Sequence, residues 1–236
     1  MTQQIKSKKR VADHGEVFTR PEEVNAMLDL VKNETLRLDA SFLEPACGDG
    51  NFLIEILKRK LVVADVQSCF FLPQKGKKQI IVGKKRSNER SQRRYELNVV
   101  QAVASIYGIE LLKDNVEACR KRLADYVEQT IRQTIPAIDE AHLSKIMATV
   151  IRILQVNIVH GNALTMTFAQ DETDTSDPKM LKFYQWKSGV YPNRFFFQWQ
   201  AYEYQHLVEH DRSFGYRILD QDKIYFLDIP NEKRIY

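Results

Sequence analysis

A chain of 236 residues has room for one large domain or two small ones, and its 44% apolar residues can bury a core, which excludes a disordered chain. The longest apolar runs are short and broken by charge, so no membrane span is expected, and the basic start MTQQIKSKKR is not followed by the hydrophobic stretch of a secretory signal. Three cysteines without a CxxC pair and five scattered histidines point away from a disulfide framework and from any metal site, and fit a reducing cytoplasm.

In chain order, Val24, Met27, Leu28 and Val31 have helical spacing and predict a helix over 21–38. Thr19 and Glu22 bracket Pro21 as a capping box at its start. Ser41–Glu44 reads as a short strand, after which CGDGN turns the chain into a helix opened by Phe52, Ile56 and Leu57. The run QIIV at 79–82 reads as one arm of a hairpin. A helix over 91–105 feeds a strand at Ile106–Leu111, and Asp114 and Glu117 box the start of another helix, with Val116, Cys119 and Leu123 on one face. Leu143, Ile146, Met147, Val150 and Leu154 form a further helical stripe ahead of a strand at Asn157–Asn162. Strands separated by helices imply crossover connections and a mostly parallel sheet, so the expected fold class is α/β.

Charge and aromatics are unevenly placed. The net charge is +4, yet residues 75–94 carry nine Lys or Arg against Glu89 alone; that segment is +8, leaving 4 − 8 = −4 for the rest. A basic block on a mildly acidic body reads either as a polyanion-binding patch or as a solvated loop. Of the 24 aromatic residues, 15 fall in the last 66 positions, beyond the acidic stretch DETDTSDP. The expected organisation is therefore a domain over 1–170, with a basic insertion at 65–94, and a distinct aromatic-rich region over 171–236.

Ligands of open α/β sheets bind outside the carboxyl ends of the strands, and four segments are expected to converge there. Glu44-Pro45-Ala46-Cys47-Gly48-Asp49-Gly50-Asn51-Phe52 passes from a strand through two glycines into a helix, whose N-terminus suits an anionic group. The third glycine of the dinucleotide fingerprint is missing, Leu53 standing in its place. Gly108-Ile109-Glu110 ends the next strand with an acid able to accept a pair of ribose hydroxyls. His160-Gly161-Asn162-Ala163-Leu164 ends the third, and Gly15-Glu16-Val17-Phe18-Thr19-Arg20-Pro21 precedes them all.

The string EPACGDGNF resembles motif I of the amino-methyltransferases that act on DNA, their loop for S-adenosylmethionine. With GEVFTRP resembling motif X, GIE motif II, and GNAL the G-D-x-L motif III, the likeness covers about residues 11–165. The chain is thus similar to the cofactor-binding half of adenine-specific DNA methyltransferases, of the kind that serve as modification subunits in restriction–modification or phage-defence systems. The resemblance implies a Rossmann-like fold, incomplete at its C-terminal end, and a cofactor set of Phe18, Thr19, Glu44, Ala46, Cys47, Gly48, Gly50, Asn51, Phe52, Glu110, Asn162 and Leu164. Asn162 departs from the family's Asp, though an amide oxygen still accepts from the adenine amino group.

The family's catalytic segment, [Asp/Asn/Ser]-Pro-Pro-[Tyr/Phe/Trp], does not occur. In it a polar side chain and a stiff prolyl carbonyl accept from the target amine while the aromatic stacks on the extruded base. The nearest stand-in is Asp228-Ile229-Pro230-Asn231, giving Asp228 and Pro230 as catalytic candidates; Tyr191-Pro192-Asn193 is more distant. Three readings follow: an active adenine methyltransferase of DNA, a cofactor-binding subunit or pseudoenzyme that works with a partner protein, either completing a split site or sensing the cofactor, or a nucleic-acid-binding module. DNA is the expected partner, gripped by Lys84, Lys85 and Arg86, with Phe183, Tyr184, Trp186 and Trp199 available for stacking or for a C-terminal core.

Overall fold

The computed structural model describes residues 5–68, 89–170, 175–191, 194–205, 224–233 and 235. A strand β1 (Phe42–Glu44), β2 (Ile106–Glu110) and β3 (Ile158–Asn162) lie side by side in parallel, and β4 (Thr167–Phe168) runs antiparallel to β3, giving the order β1-β2-β3-β4. The class is α/β, with a mostly parallel four-stranded sheet and helices packed on it.

Ahead of β1 come α1 (Lys8–His14), α2 (Pro21–Asp29) and α3 (Lys32–Thr35). The expected single helix over 21–38 is broken at Leu30 because its apolar stripe is spent: Val24 and Leu28 are buried, while Leu30 is 86% exposed. The capping box sits one residue later than expected, with the Arg20 N–H donating to Glu23 Oε2 at 3.3 Å. Helix α4 (Asn51–Ser68) follows β1, and α5 (Glu89–Ala104) leads into β2 through Ser105 alone. After β2 come α6 (Lys113–Thr134) and α7 (Glu140–Asn157), the latter running directly into β3. Helix α6 starts at Lys113, after Leu112, without the Asp114–Glu117 box; Asp114 is engaged elsewhere.

These connections give the molecule two ends. Helix α4 leaves the carboxyl end of β1 and runs about 27 Å, at 1.5 Å per residue, to Ser68, whose hydroxyl accepts from Asn98 Nδ2 on α5 at 2.9 Å. Helices α5 and α7 travel in the strand direction and arrive at the amino ends of β2 and β3. The carboxyl ends are thus left to the loops 45–50, 111–112 and 163–166 and to the N-terminal segment.

The C-terminal region forms a second, antiparallel sheet of β5 (Lys182–Tyr191), β6 (Arg194–Glu203) and β7 (Ile224–Tyr225), followed by a 3-10 segment, Phe226–Asn231. Its aromatics continue the core of the α/β body: Phe183, Tyr184, Trp186, Phe197, Trp199 and Phe226 cluster with Leu57, Ile106 and Val150. Asn157, at the junction of α7 and β3, fastens the layers. Its Nδ2 donates to the carbonyls of Ala104 and Ile106, and its Oδ1 accepts from Trp186 Nε1 at 3.1 Å. A further tie comes from Tyr107, whose hydroxyl donates to the Tyr184 carbonyl at 2.7 Å.

Candidate functional site

The loop after β1 is built on two left-handed glycines, Gly48 at φ 54° and Gly50 at φ 92°, a backbone region that suits residues without a Cβ. Each glycine also makes room for a neighbour. A Cβ on Gly50 would stand 2.7 Å from Cys119 Sγ, and one on Gly48 would press within 3.1 Å of the Phe18 ring. Behind the loop Cys47 is buried over Gly108 of β2, where an added Cβ would lie 2.8 Å from its sulfur. Its hydrogen bond with Cys119 and its burial both push the Cys47 thiol far above the ordinary range, so it is a neutral space-filler.

Glu110 closes the arrangement from β2. Only 8% exposed, it accepts from the Gly48 N–H at 2.8 Å through Oε2 and from the Leu112 N–H at 2.9 Å through Oε1. The acid at the end of one strand thereby fixes the glycine loop beyond its neighbour. The opening turn of α4 presents backbone N–H groups beside it, the donors that helix starts leave unsatisfied. Asn51 holds that turn in place: its Nδ2 donates to the Thr19 carbonyl at 3.0 Å and its Oδ1 accepts from Arg122 at 2.7 Å. Phe52 is half-buried against the core, and Ala46 is exposed on the loop. Glu44 ends β1 with its carboxyl pushed up by burial, an effect that the Ala46 N–H partly offsets.

The segment ahead of α2 crosses this edge as a strap. Arg10 forms a fork with Glu16, at 2.6 and 2.7 Å, and reaches Asp114 at the start of α6 at 2.7 Å. Lys6 also pairs with Asp114, at 3.0 Å, and its ammonium lies 6.0 Å from the centre of the Phe18 ring. Asn115 joins strap to strand, its Nδ2 donating to Glu16 Oε1 at 2.6 Å and, at 3.5 Å, to Glu110 Oε1. Burial pushes the Glu16 carboxyl up, but the bonds from Arg10 and Asn115 outweigh it and hold the group below its usual range. The Arg10 bond, foremost, holds Asp114 well below its own.

On β3, His160 stands opposite Glu110 in register, and Asn162 follows two residues on. Asn162 Oδ1 accepts from the Leu164 N–H at 2.8 Å and from Thr165 at 3.4 Å, turning the chain toward β4. Leu164 is 92% exposed. Gly161 has a packing reason, since a Cβ there would meet the Thr167 carbonyl at 2.7 Å.

All twelve residues expected to form the cofactor set therefore lie at the carboxyl ends of the strands, on the loops after them, on the first turn of α4 or on the strap. Asp228 and Pro230 do not. Their 3-10 segment packs on α7, where Thr149 donates to the Phe226 carbonyl at 3.1 Å, toward the amino end of β3. Of the two roles open to the tail aromatics, core and not stacking is the one they take: Phe183, Tyr184, Trp186 and Trp199 are all at most 4% exposed and pack with α5 and α7. Lys84, Lys85 and Arg86, the hairpin arm 79–82, and Pro192 and Asn193 lie outside the described residues. Asn115 and Arg122, polar residues on α6, carry no local signal of their roles, since their partners are up to a hundred positions away.

Among the described residues no helix is long and apolar enough to cross a membrane, and no group of three or more His, Cys, Asp or Glu is placed to hold a metal ion. Comparison with protein-family models, with curated proteins and with solved structures finds no match.

Proposed function

We propose that this chain binds S-adenosylmethionine at the carboxyl edge of its parallel sheet and serves methyl transfer to the amino group of adenine in DNA. The observation that carries the reading is the buried Glu110 carboxylate bonded to the amide of Gly48, which brings the ends of β1 and β2 and the start of α4 to one point. The residues suit the group. The α4 N-terminus offers backbone donors to a carboxylate, and Glu110 retains a lone pair for a ribose hydroxyl beyond the two backbone amides and the Asn115 amide that it already serves. The Phe18 ring shelters Gly48, and Asn162, whose Oδ1 already accepts from the Leu164 and Thr165 N–H groups, can offer its Nδ2 as a donor to a ring nitrogen of the adenine, and not its oxygen to the amino group. When bound, the cofactor supplies a methyl group activated by a sulfonium. The chain's part is to orient that methyl and to exclude water around it.

A second reading is favoured by the placement of Asp228 and Pro230 in the 3-10 segment packed against α7, away from Glu110: the groups that receive the adenine come from a partner protein. Transfer of tritium-labelled methyl to duplex DNA distinguishes the two. Transfer by the chain alone supports the first, and transfer only when a second protein is added supports the other. Absence of transfer in both settings, with no cofactor binding, overturns the proposal.

A further inference from the structure

Among the described residues three groups donate to Glu110, and the longest of those bonds ties it to the strap. Its Oε2 accepts from the Gly48 N–H at 2.8 Å, and its Oε1 from the Leu112 N–H at 2.9 Å and from Asn115 Nδ2 at 3.5 Å. The same Nδ2 donates to Glu16 Oε1 at 2.6 Å, and Asn115 Oδ1 accepts from the Lys6 ammonium. Asn115 is 1% exposed, so these partners, and not bulk water, satisfy its amide. The strap bonds close into a ring. Arg10 joins Glu16 to Asp114, Lys6 joins Asp114 to Asn115, and Asn115 returns to Glu16. Glu110 is attached to that ring through the Asn115 amide.

The neighbours dictate the residue type at this point. Two carboxylates, Glu16 and Glu110, face the amide nitrogen, and an ammonium, Lys6, faces its oxygen. A primary amide has two N–H donors for the first and a carbonyl oxygen for the second; a carboxylate lacks the donors, and an alkyl group lacks both. Asn115 therefore stands between two like charges that would otherwise face each other at a buried position. The terminal torsion of a glutamate is soft, so the direction of its carboxylate has to be set by the donors around it. We infer that Asn115 is a positioning residue: through it the strap fixes the direction of the Glu110 carboxylate, and with it the preference of the site for a ligand that carries ribose hydroxyls. The bond to Glu16 is far shorter than the bond to Glu110, so the amide is placed from the strap side. By linkage the coupling runs both ways, and a ribose engaged on Glu110 steadies the strap in turn. The inference rests on the cofactor reading above.

Two measurements on the full chain test this. Without ligand, Lys6→Met should speed amide exchange at Gly48 and Leu112 at least threefold, and should add nothing in an Asn115→Ala background. With ligand, calorimetry compares S-adenosylhomocysteine with its 2′,3′-dideoxy analogue. The wild type should prefer the hydroxyl-bearing ligand at least tenfold. Asn115→Ala should cut that preference below threefold and keep affinity for the dideoxy analogue within twofold, a split that a generally loosened site would not give. Lys6→Met changes an exposed residue, so the fold should stay intact, and it should at least halve the preference. Unaltered exchange in Lys6→Met, an equal effect of Lys6→Met in both backgrounds, or an equal loss for both ligands in Asn115→Ala overturns the inference. Exchange coupling without binding of either ligand removes the methyltransferase reading alone. Binding of both ligands with the preference unchanged in the variants removes the positioning role alone.

Discussion

At the scale of single residues, Glu110 has two duties that a substitution should separate. It satisfies two backbone N–H groups, and it is the proposed acceptor of the ribose hydroxyls. Glu110→Ala leaves those buried donors unpaired and should destabilise the fold by about 1–3 kcal/mol, read as a lowered unfolding midpoint, as well as weakening cofactor binding. Cys47 should be dispensable for binding: the neutral, buried thiol resists alkylation by iodoacetamide in the native state, and Cys47→Ala keeps cofactor affinity. Labelling of Cys47 in the folded protein would contradict this. The strap carries a pH dependence of definite sign. Glu16 and Asp114 titrate below their unfolded values, so their contribution is complete above about pH 5 and is lost as pH falls through the lower folded values. The Arg10 side-chain NMR signal should report release of the strap below about pH 4. Release between pH 6 and 8 would show that other groups hold it.

At the scale of elements, the strand positions, the glycine loop and the α6 and α7 stripes were legible because each is a local pattern of apolar spacing and turn residues. What escaped depends on partners distant in sequence. Nothing near Lys60 announces that its ammonium lies fully buried in α4, bonded to the carbonyls of Arg37 and Ala40 at 2.6 and 2.7 Å, with burial lowering its pKa to about 8. The contact between Cys47 and Cys119 likewise becomes visible only once α6 lies under the loop. The aromatic tail was legible as a region but not as a hairpin that pairs Trp186 with Trp199. Two substitutions test these joints. Gly50→Ala sets a methyl 2.7 Å from Cys119 Sγ and should cost about 1–3 kcal/mol, a loss that Cys119→Ala partly restores in a double-mutant cycle. Asn157→Ala removes the donor to Ala104 and Ile106 and the acceptor for Trp186, and should cost a similar amount in urea unfolding.

At the scale of the whole molecule, the carboxyl end of the sheet holds the glycine loop, Glu110 and the strap, and the amino end receives α5 and α7. Ser68 ahead of the basic block and Ser91 within it belong to helices that meet away from the glycine loop. A nucleic acid held by that block should therefore bind independently of the cofactor. Affinity for duplex DNA should fall with salt by about 0.9 in log K per log unit for each phosphate neutralised. Replacing Lys84, Lys85 and Arg86 with Ala should flatten the slope and leave cofactor affinity unchanged. An unaltered slope would mean that the block does not contact phosphates.

The proposed S-adenosylmethionine site is the edge formed by Gly48, Glu110 and the start of α4. Isothermal calorimetry of the wild-type chain and a Glu110→Gln variant, at matched folded fraction, tests it most directly. Saturable heat from one site per chain is expected in the wild type, with affinity at least fivefold weaker in the variant. No heat from the wild type with millimolar cofactor, or equal affinity in both proteins, would contradict it.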